Sequence, residues 1–290
     1  ETVVGVKAKD RDGNALTFNA PITIDATGRT GLSMNRHGWR VRDKVLNKIA
    51  IWTYFKGAKR DPGKDEGATT VAYVEEKNWF WYIPLKDDRV SVGIVGEKDY
   101  LYKDARDPKE IFHREVEKNA WIKDHLEPGE SEGEYRVTGE FSYRSEYCSI
   151  DGLVMAGDAF AFLDPVFSSG VMLALKSGQL AAEAIDRALD DNDVSAARFA
   201  DYGKTMCSGI EAMRRLVYTF YDDQFSFKDV LMKSPDLKSD MTDCLIGHVD
   251  RDYDEMFEAV SEFARLPEPL PHGKPREPVL ENSSGHAGNG

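Results

Sequence analysis

A chain of 290 residues, 41% of them hydrophobic, is long enough to bury a sizeable core as one large or two ordinary domains. Its formal net charge of -13 leaves no basic stripe to neutralise phosphates or anionic lipid, which argues against nucleic acid and the membrane surface as partners. Cys148, Cys207 and Cys244 lack C-x-x-C spacing and no apolar run approaches the ~20 residues that cross a bilayer, so the expectation is a soluble, cytoplasmic protein without disulfides or a thiolate metal site.

Residue 1 is Glu, and Val3 to Val6 already lie in a strand-like pattern, so a truncated chain is expected. Asp10, Gly13 and Asn14 mark a turn before Leu16 and Phe18, and Ile22, Ile24 and Ala26 follow. This predicts a hairpin and then a buried strand. A calcium loop at Asp10 is rejected, because the later ligand positions and the closing glutamate do not follow. Residues 49–57, 68–75, 79–85 and 89–95 carry β-branched and aromatic runs between Gly, Asp or Lys clusters, which predicts four strands of an antiparallel sheet. Pro108 opens a predicted helix over 108–120, and a strand is predicted over 135–147. Gly129 to Gly133 fits G-x-S-x-G literally, yet Pro128 and the flanking glutamates predict a solvated loop rather than a strand-to-helix elbow.

Gly152 to Gly157 form a short apolar run typical of a strand buried on both faces, leading through a loop to a helix predicted over 168–190. Helical periodicity dominates residues 194–265, with Phe199, Tyr202, Met206, Ile210, Met213 and Phe220 recurring at three and four. After Leu266, five prolines among polar residues predict a disordered tail over 266–290. The six histidines show no metal-ligand spacing.

Two segments carry chemistry. Asp158 directly follows the buried strand, where a carboxylate can accept hydrogen bonds from a ribityl hydroxyl. The Ser168, Ser169, Gly170 corner offers bare amides at a helix N-terminus to an electron-rich ring edge, and Gly170 permits close approach. The plainer reading is an N-capped helix without a ligand. Upstream, Asp25 to Gly31 is a strand ending in a glycine-bearing turn, where Gly28 serves either close approach to a dinucleotide or merely a positive φ. Trp79 and Trp81 alternate on one face of a strand, as walls of a dry cavity or as plain core.

These pieces, with an antiparallel sheet between them, resemble the second half of the glutathione-reductase-like FAD fold of aromatic hydroxylases, geranylgeranyl reductases and flavin-dependent halogenases, over about residues 3–190. Trp79, Trp81, Ile83 and Pro84 match the halogenase W-x-W-x-I-P signature, and Phe162, Pro165, Ser168 and Gly170 match its F-x-x-P-x-x-S-x-G pattern. The resemblance implies an α/β (α+β) fold: part of an FAD-binding domain from residues 1–31 and 146–190, an inserted antiparallel-sheet substrate domain over 32–145, and a helical lobe over 191–265. It implies FAD held by Thr27, Gly28, Gly157, Asp158, Pro165, Ser168, Ser169, Gly170 and Val171. Halide would sit near Ser169 and Gly170, and Trp79, Trp81 and Phe162 would line the reaction cavity. The implied reaction uses FADH2, oxygen and halide to halogenate a small organic substrate, with a separate flavin reductase as supplier.

The family's catalytic lysine and its G-x-G-x-x-G would precede Glu1, since the glycines two apart here are Gly288 and Gly290. Phe160 stands where aromatic hydroxylases usually have His, and Ser169, Gly170 and Val171 stand where they have Gly-Gln-Gly. A geranylgeranyl-reductase-like or monooxygenase flavoprotein is the alternative, and a noncatalytic scaffold keeping the fold is the second.

Overall fold

The computed structural model describes residues 2–139 and 141–277. Asp10 closes the first turn by accepting from the amides of Asp12 (2.9 Å) and Asn14 (2.8 Å), so β1 (Gly5–Lys9) and β2 (Ala15–Asn19) pair as the predicted hairpin. Strand β3 (Thr23–Asp25), helix α1 (Leu32–His37) and strand β4 (Arg40–Arg42) follow. Next come β5 (Lys48–Lys56), β6 (Thr70–Tyr73), β7 (Trp79–Pro84) and β8 (Arg89–Glu97). After α2 (Lys98–Leu101), Asp107 and Asn119 cap the helices α3 (Pro108–Val116) and α4 (Ala120–Leu126).

Strand β9 (Glu130–Gly139) completes an antiparallel sheet in the order β6-β7-β8-β5-β9. Successive side chains point to opposite faces. Phe80 and Tyr82 of β7 therefore join Ile51, Ile94 and the α3 residues Ile111 and Phe112 on one face. Trp79 joins Ala50, Val95, Val166, Val217 and Phe220 on the other.

The remainder runs β10 (Tyr143–Ser145), β11 (Tyr147–Ile150), β12 (Leu153–Met155), β13 (Ala161–Phe162), α5 (Gly170–Asp190), α6 (Ala200–Tyr221), α7 (Phe227–Lys233), α8 (Lys238–Leu245), α9 (Asp254–Ser261) and β14 (Lys274–Pro275). Strand β12 is buried throughout, lies parallel to β3, and continues through β11 to β14. Strands β4, β10 and β13 form a further small sheet. No helix among the described residues is long and apolar enough to cross a membrane.

Several expectations are corrected. The strand expected over 135–147 is three strands in three sheets: β9, β10 and β11. The sequence alternates polar and aromatic residues through 135–147 although 141–145 are all buried, so the pattern does not reveal the change of sheet. The loop expected at 129–133 begins β9, where Ser131 pairs with Phe55; an edge strand tolerates glutamates on its solvated side. The 108–120 helix stops short, because Asn119 starts a new one.

The expected disorder of 266–277 is also overturned. There the Leu270 carbonyl accepts from the fully buried Arg144 at 2.6 Å, the Glu268 carbonyl accepts from Arg214 at 3.0 Å, and Lys274–Pro275 pairs with β11. Backbone carbonyls satisfying buried guanidiniums hold this segment, a term that apolar content does not register. Residues 278–290 of that call lie outside the described residues.

Candidate active site

Parallel pairing sets Met155 opposite Asp25, so the turns leaving β12 and β3 lie side by side at the carboxyl ends of their strands. Open α/β sheets place ligands there. A cleft of about 450 Å³ opens at this point, and it brings together Gly28, Gly157, Asp158, Phe162, Gly170 and Val171. Its floor and far wall are Ile24, Ala26, Ala156 and the small residues Ala174, Gly178 and Ala181 of α5.

Gly157 adopts φ +58°, and a Cβ there would sit 3.4 Å from the Cβ of Ala174. Its amide donates to Ser177 Oγ at 2.7 Å, which ties the turn to α5. Asp158 is half-buried, and no group among the described residues donates a hydrogen bond to its carboxylate. Desolvation raises its pKa above the ordinary aspartate value, with the Arg29 guanidinium opposing.

Asp25 behaves differently. Burial pushes its carboxyl up, but hydrogen bonds from Thr27 Oγ1 (2.7 Å) and the Ser33 amide (2.6 Å) outweigh this and hold it below the usual range. Thr27 is thereby turned back towards Asp25 and lines the neighbouring groove with Leu32 and Ser33, not the cleft.

At the helix end, Asp164 accepts from the Val166 amide at 3.1 Å and starts a tight turn over Pro165–Phe167. Ser168 then takes a left-handed conformation, φ +54°, and Ser169 is buried. Helix α5 begins with no side-chain cap, so its first amides have no partner within the helix. A Cβ on Gly170 would meet nothing within 4 Å. An uncapped positive helix end, an unpartnered carboxylate and open space between them suit a ligand with an electron-rich edge and hydroxyl donors.

Trp79 and Trp81 are not in this cleft. They share one face of β7 with ring centroids 6.3 Å apart and pack among Trp52, Phe167 and Phe220. Trp79 is 2% exposed and donates its indole N–H to Tyr221 Oη at 2.9 Å, and Tyr221 donates to Asp164 Oδ2 at 2.9 Å. Trp81 lies flat across β8 because residue 93 is glycine; a Cβ there would stand 2.3 Å from its ring. Burial lifts the Asp164 carboxyl to about 6, partly offset by Tyr221, the Val166 amide and the Lys48 ammonium.

Sequence reasoning missed Asp164, Tyr221, Lys48 and Arg29. An aspartate between Leu163 and Pro165 in an apolar run signals a buried charge, but nothing local points to Tyr221.

Comparison with known proteins decides between the flavoprotein classes. The sequence model described as tryptophan halogenase matches residues 1–263. The chain belongs to the tryptophan halogenase family. It is 32% identical over 231 residues to the 1H-pyrrole-2-carbonyl-[peptidyl-carrier protein] brominase of Pseudoalteromonas luteoviolacea, covering 78% of this chain and 56% of the brominase. The tryptophan 2-halogenase of Chondromyces crocatus is 33% identical over 183 residues, covering 61% and 35%. The solved flavin-dependent brominase Bmp2 superposes with a TM-score of 0.81 at 29% identity, covering 90% of this chain and 66% of that one. This halogenase-family chain thus spans about half the length of the curated pyrrole halogenases it matches. Its mixed α/β architecture is that of FAD-dependent halogenases.

Proposed function

We propose that this chain carries the flavin-ring half and the aromatic wall of an FAD-dependent halogenase that acts on a small organic substrate. The observation that carries the reading is the meeting of Asp158, whose carboxylate receives no hydrogen bond among the described residues, with the uncapped start of α5 in one glycine-lined cleft. The residues present fit the cofactor. Asp158 would accept from a ribityl hydroxyl, Gly28 and Gly157 would permit close backbone approach, and the Gly170 and Val171 amides would meet the electron-rich ring edge, beside Pro165 and Ser168. Ser169 and Gly170 would neighbour the halide. When bound, the flavin supplies the two-electron oxidation of halide by oxygen.

The chain's own groups supply the electrostatics and the dryness. Amides fixed at a helix end stabilise negative charge without reorganising, and they do so best where water is excluded. The Trp52, Trp79 and Trp81 cluster lies outside the cleft but shares a packed layer with Phe162, which lines it, and with Phe167, and would exclude water on the sheet side. An electron-rich ring, like the pyrrole named for two relatives, is the substrate class such a wall suits. A separate reductase would deliver FADH2, and a cytoplasmic setting suits the free thiols of Cys148, Cys207 and Cys244.

The test uses the full-length protein. It should purify yellow or take up FAD and, supplied with FADH2, oxygen and bromide, give products with paired bromine isotope peaks. Asp158→Ala should weaken FAD binding about tenfold or more, the scale of one charge-assisted hydrogen bond. Folded full-length protein that takes up no flavin would favour the scaffold reading.

A further inference from the structure

Asp164 is a buried charge that the proposed chemistry does not use. Its side chain is 1% exposed, yet it receives the Val166 amide at 3.1 Å and the Tyr221 hydroxyl at 2.9 Å, with Lys48 the nearby cation. Tyr221 is the last residue of α6, and its oxygen also accepts the Trp79 indole N–H at 2.9 Å. Two hydrogen bonds therefore connect the signature strand β7 to the residue that begins the turn into α5.

Apolar packing already holds this layer together through Phe167, Phe220 and Trp79. A carboxylate placed inside it costs desolvation and adds nothing to that packing. What hydrogen bonds add is direction. Asp164 anchors the Val166 amide, Val166 sits in the turn, and the turn passes through the left-handed Ser168 straight into the free amides of α5.

We infer that Tyr221 is a positioning residue that locks Trp79 and Asp164 into one unit and so sets where the first amides of α5 point. The anion affinity of that corner then depends on a hydroxyl in direct contact with Asp164 and Trp79. This step to the anion rests on the flavin reading above; the positioning itself does not.

Tyr221→Phe in the full-length protein separates the two. Hydrogen exchange without flavin should quicken about tenfold across residues 165–173 and stay unchanged across 183–190, at the far end of α5. The FAD Kd, read by flavin fluorescence with bromide present, should rise at least fivefold. Unchanged exchange at 165–173 overturns the inference whatever the flavin does. Faster exchange in a protein whose wild type binds no FAD upholds the positioning and sinks the flavin reading. Faster exchange with an unaltered Kd overturns the link from Tyr221 to anion affinity. Should Tyr221→Phe not fold, Trp79→Phe removes the bridge from its other end and carries the same two readings.

Discussion

Half-buried Asp158 and fully buried Asp164 are both aspartates with raised pKa, and their surroundings give them different work. Asp158 opens onto a cleft and has no hydrogen-bond donor among the described residues, while Asp164 is enclosed and held by Tyr221 and the Val166 amide. Lifting Asp164 from 3.8 to about 6 corresponds to ~3 kcal/mol against its charged form. The folded state therefore binds a proton that the unfolded chain releases between these values. Stability from this group falls as pH rises through that window, and above about 6 the full penalty is present. Asp164→Asn removes the charge at nearly constant shape. Its Tm relative to wild type should be higher at about pH 7.5 than at about pH 4.5, and equal differences at both would show that no buried charge is being titrated.

Glycines on two elements separate packing from ligand access. On β8, Gly93 lies under the Trp81 ring, with the Trp52 Cβ 2.6 Å from where its own Cβ would be. Gly93→Ala should cost ~1–3 kcal/mol by overpacking, read as a lowered Tm. On α5, Gly170 faces open space, so Gly170→Ala should melt no lower than wild type while weakening flavin binding. A fall in Tm for Gly170→Ala, with binding intact, would mean that the helix start is packed rather than open. The alternation that put Trp79 and Trp81 on one face was legible in the sequence, since period two is a local property of an extended strand. The unbroken polar–aromatic alternation of the sequence between 135 and 147 misled, because residues 141–145 are all buried, polar and aromatic alike.

Across the whole molecule, residues 267–277 are a structural part and not a tail. Ending the protein at Leu266 instead of Glu277 strips Arg144 of the Leu270 carbonyl, Arg214 of the Glu268 carbonyl, and β11 of its edge partner. Two buried guanidinium donors left unmet should cost ~2–6 kcal/mol together, and calorimetry should record the lower Tm. The hairpin, the alternating faces of the sheet, the doubly buried strand before Asp158 and the uncapped start of α5 are written in neighbouring residues. Short-range backbone and patterning rules therefore reach them, and the two halogenase signatures with them. What the tertiary structure alone decided is which distant groups meet: Gly28 beside Gly157 through the parallel pairing of β3 and β12, Thr27 turned away to Asp25, and Tyr221 between Trp79 and Asp164. A hydrogen bond between residues far apart in the chain leaves no period or spacing in either segment, so its partner appears only once the chain has folded.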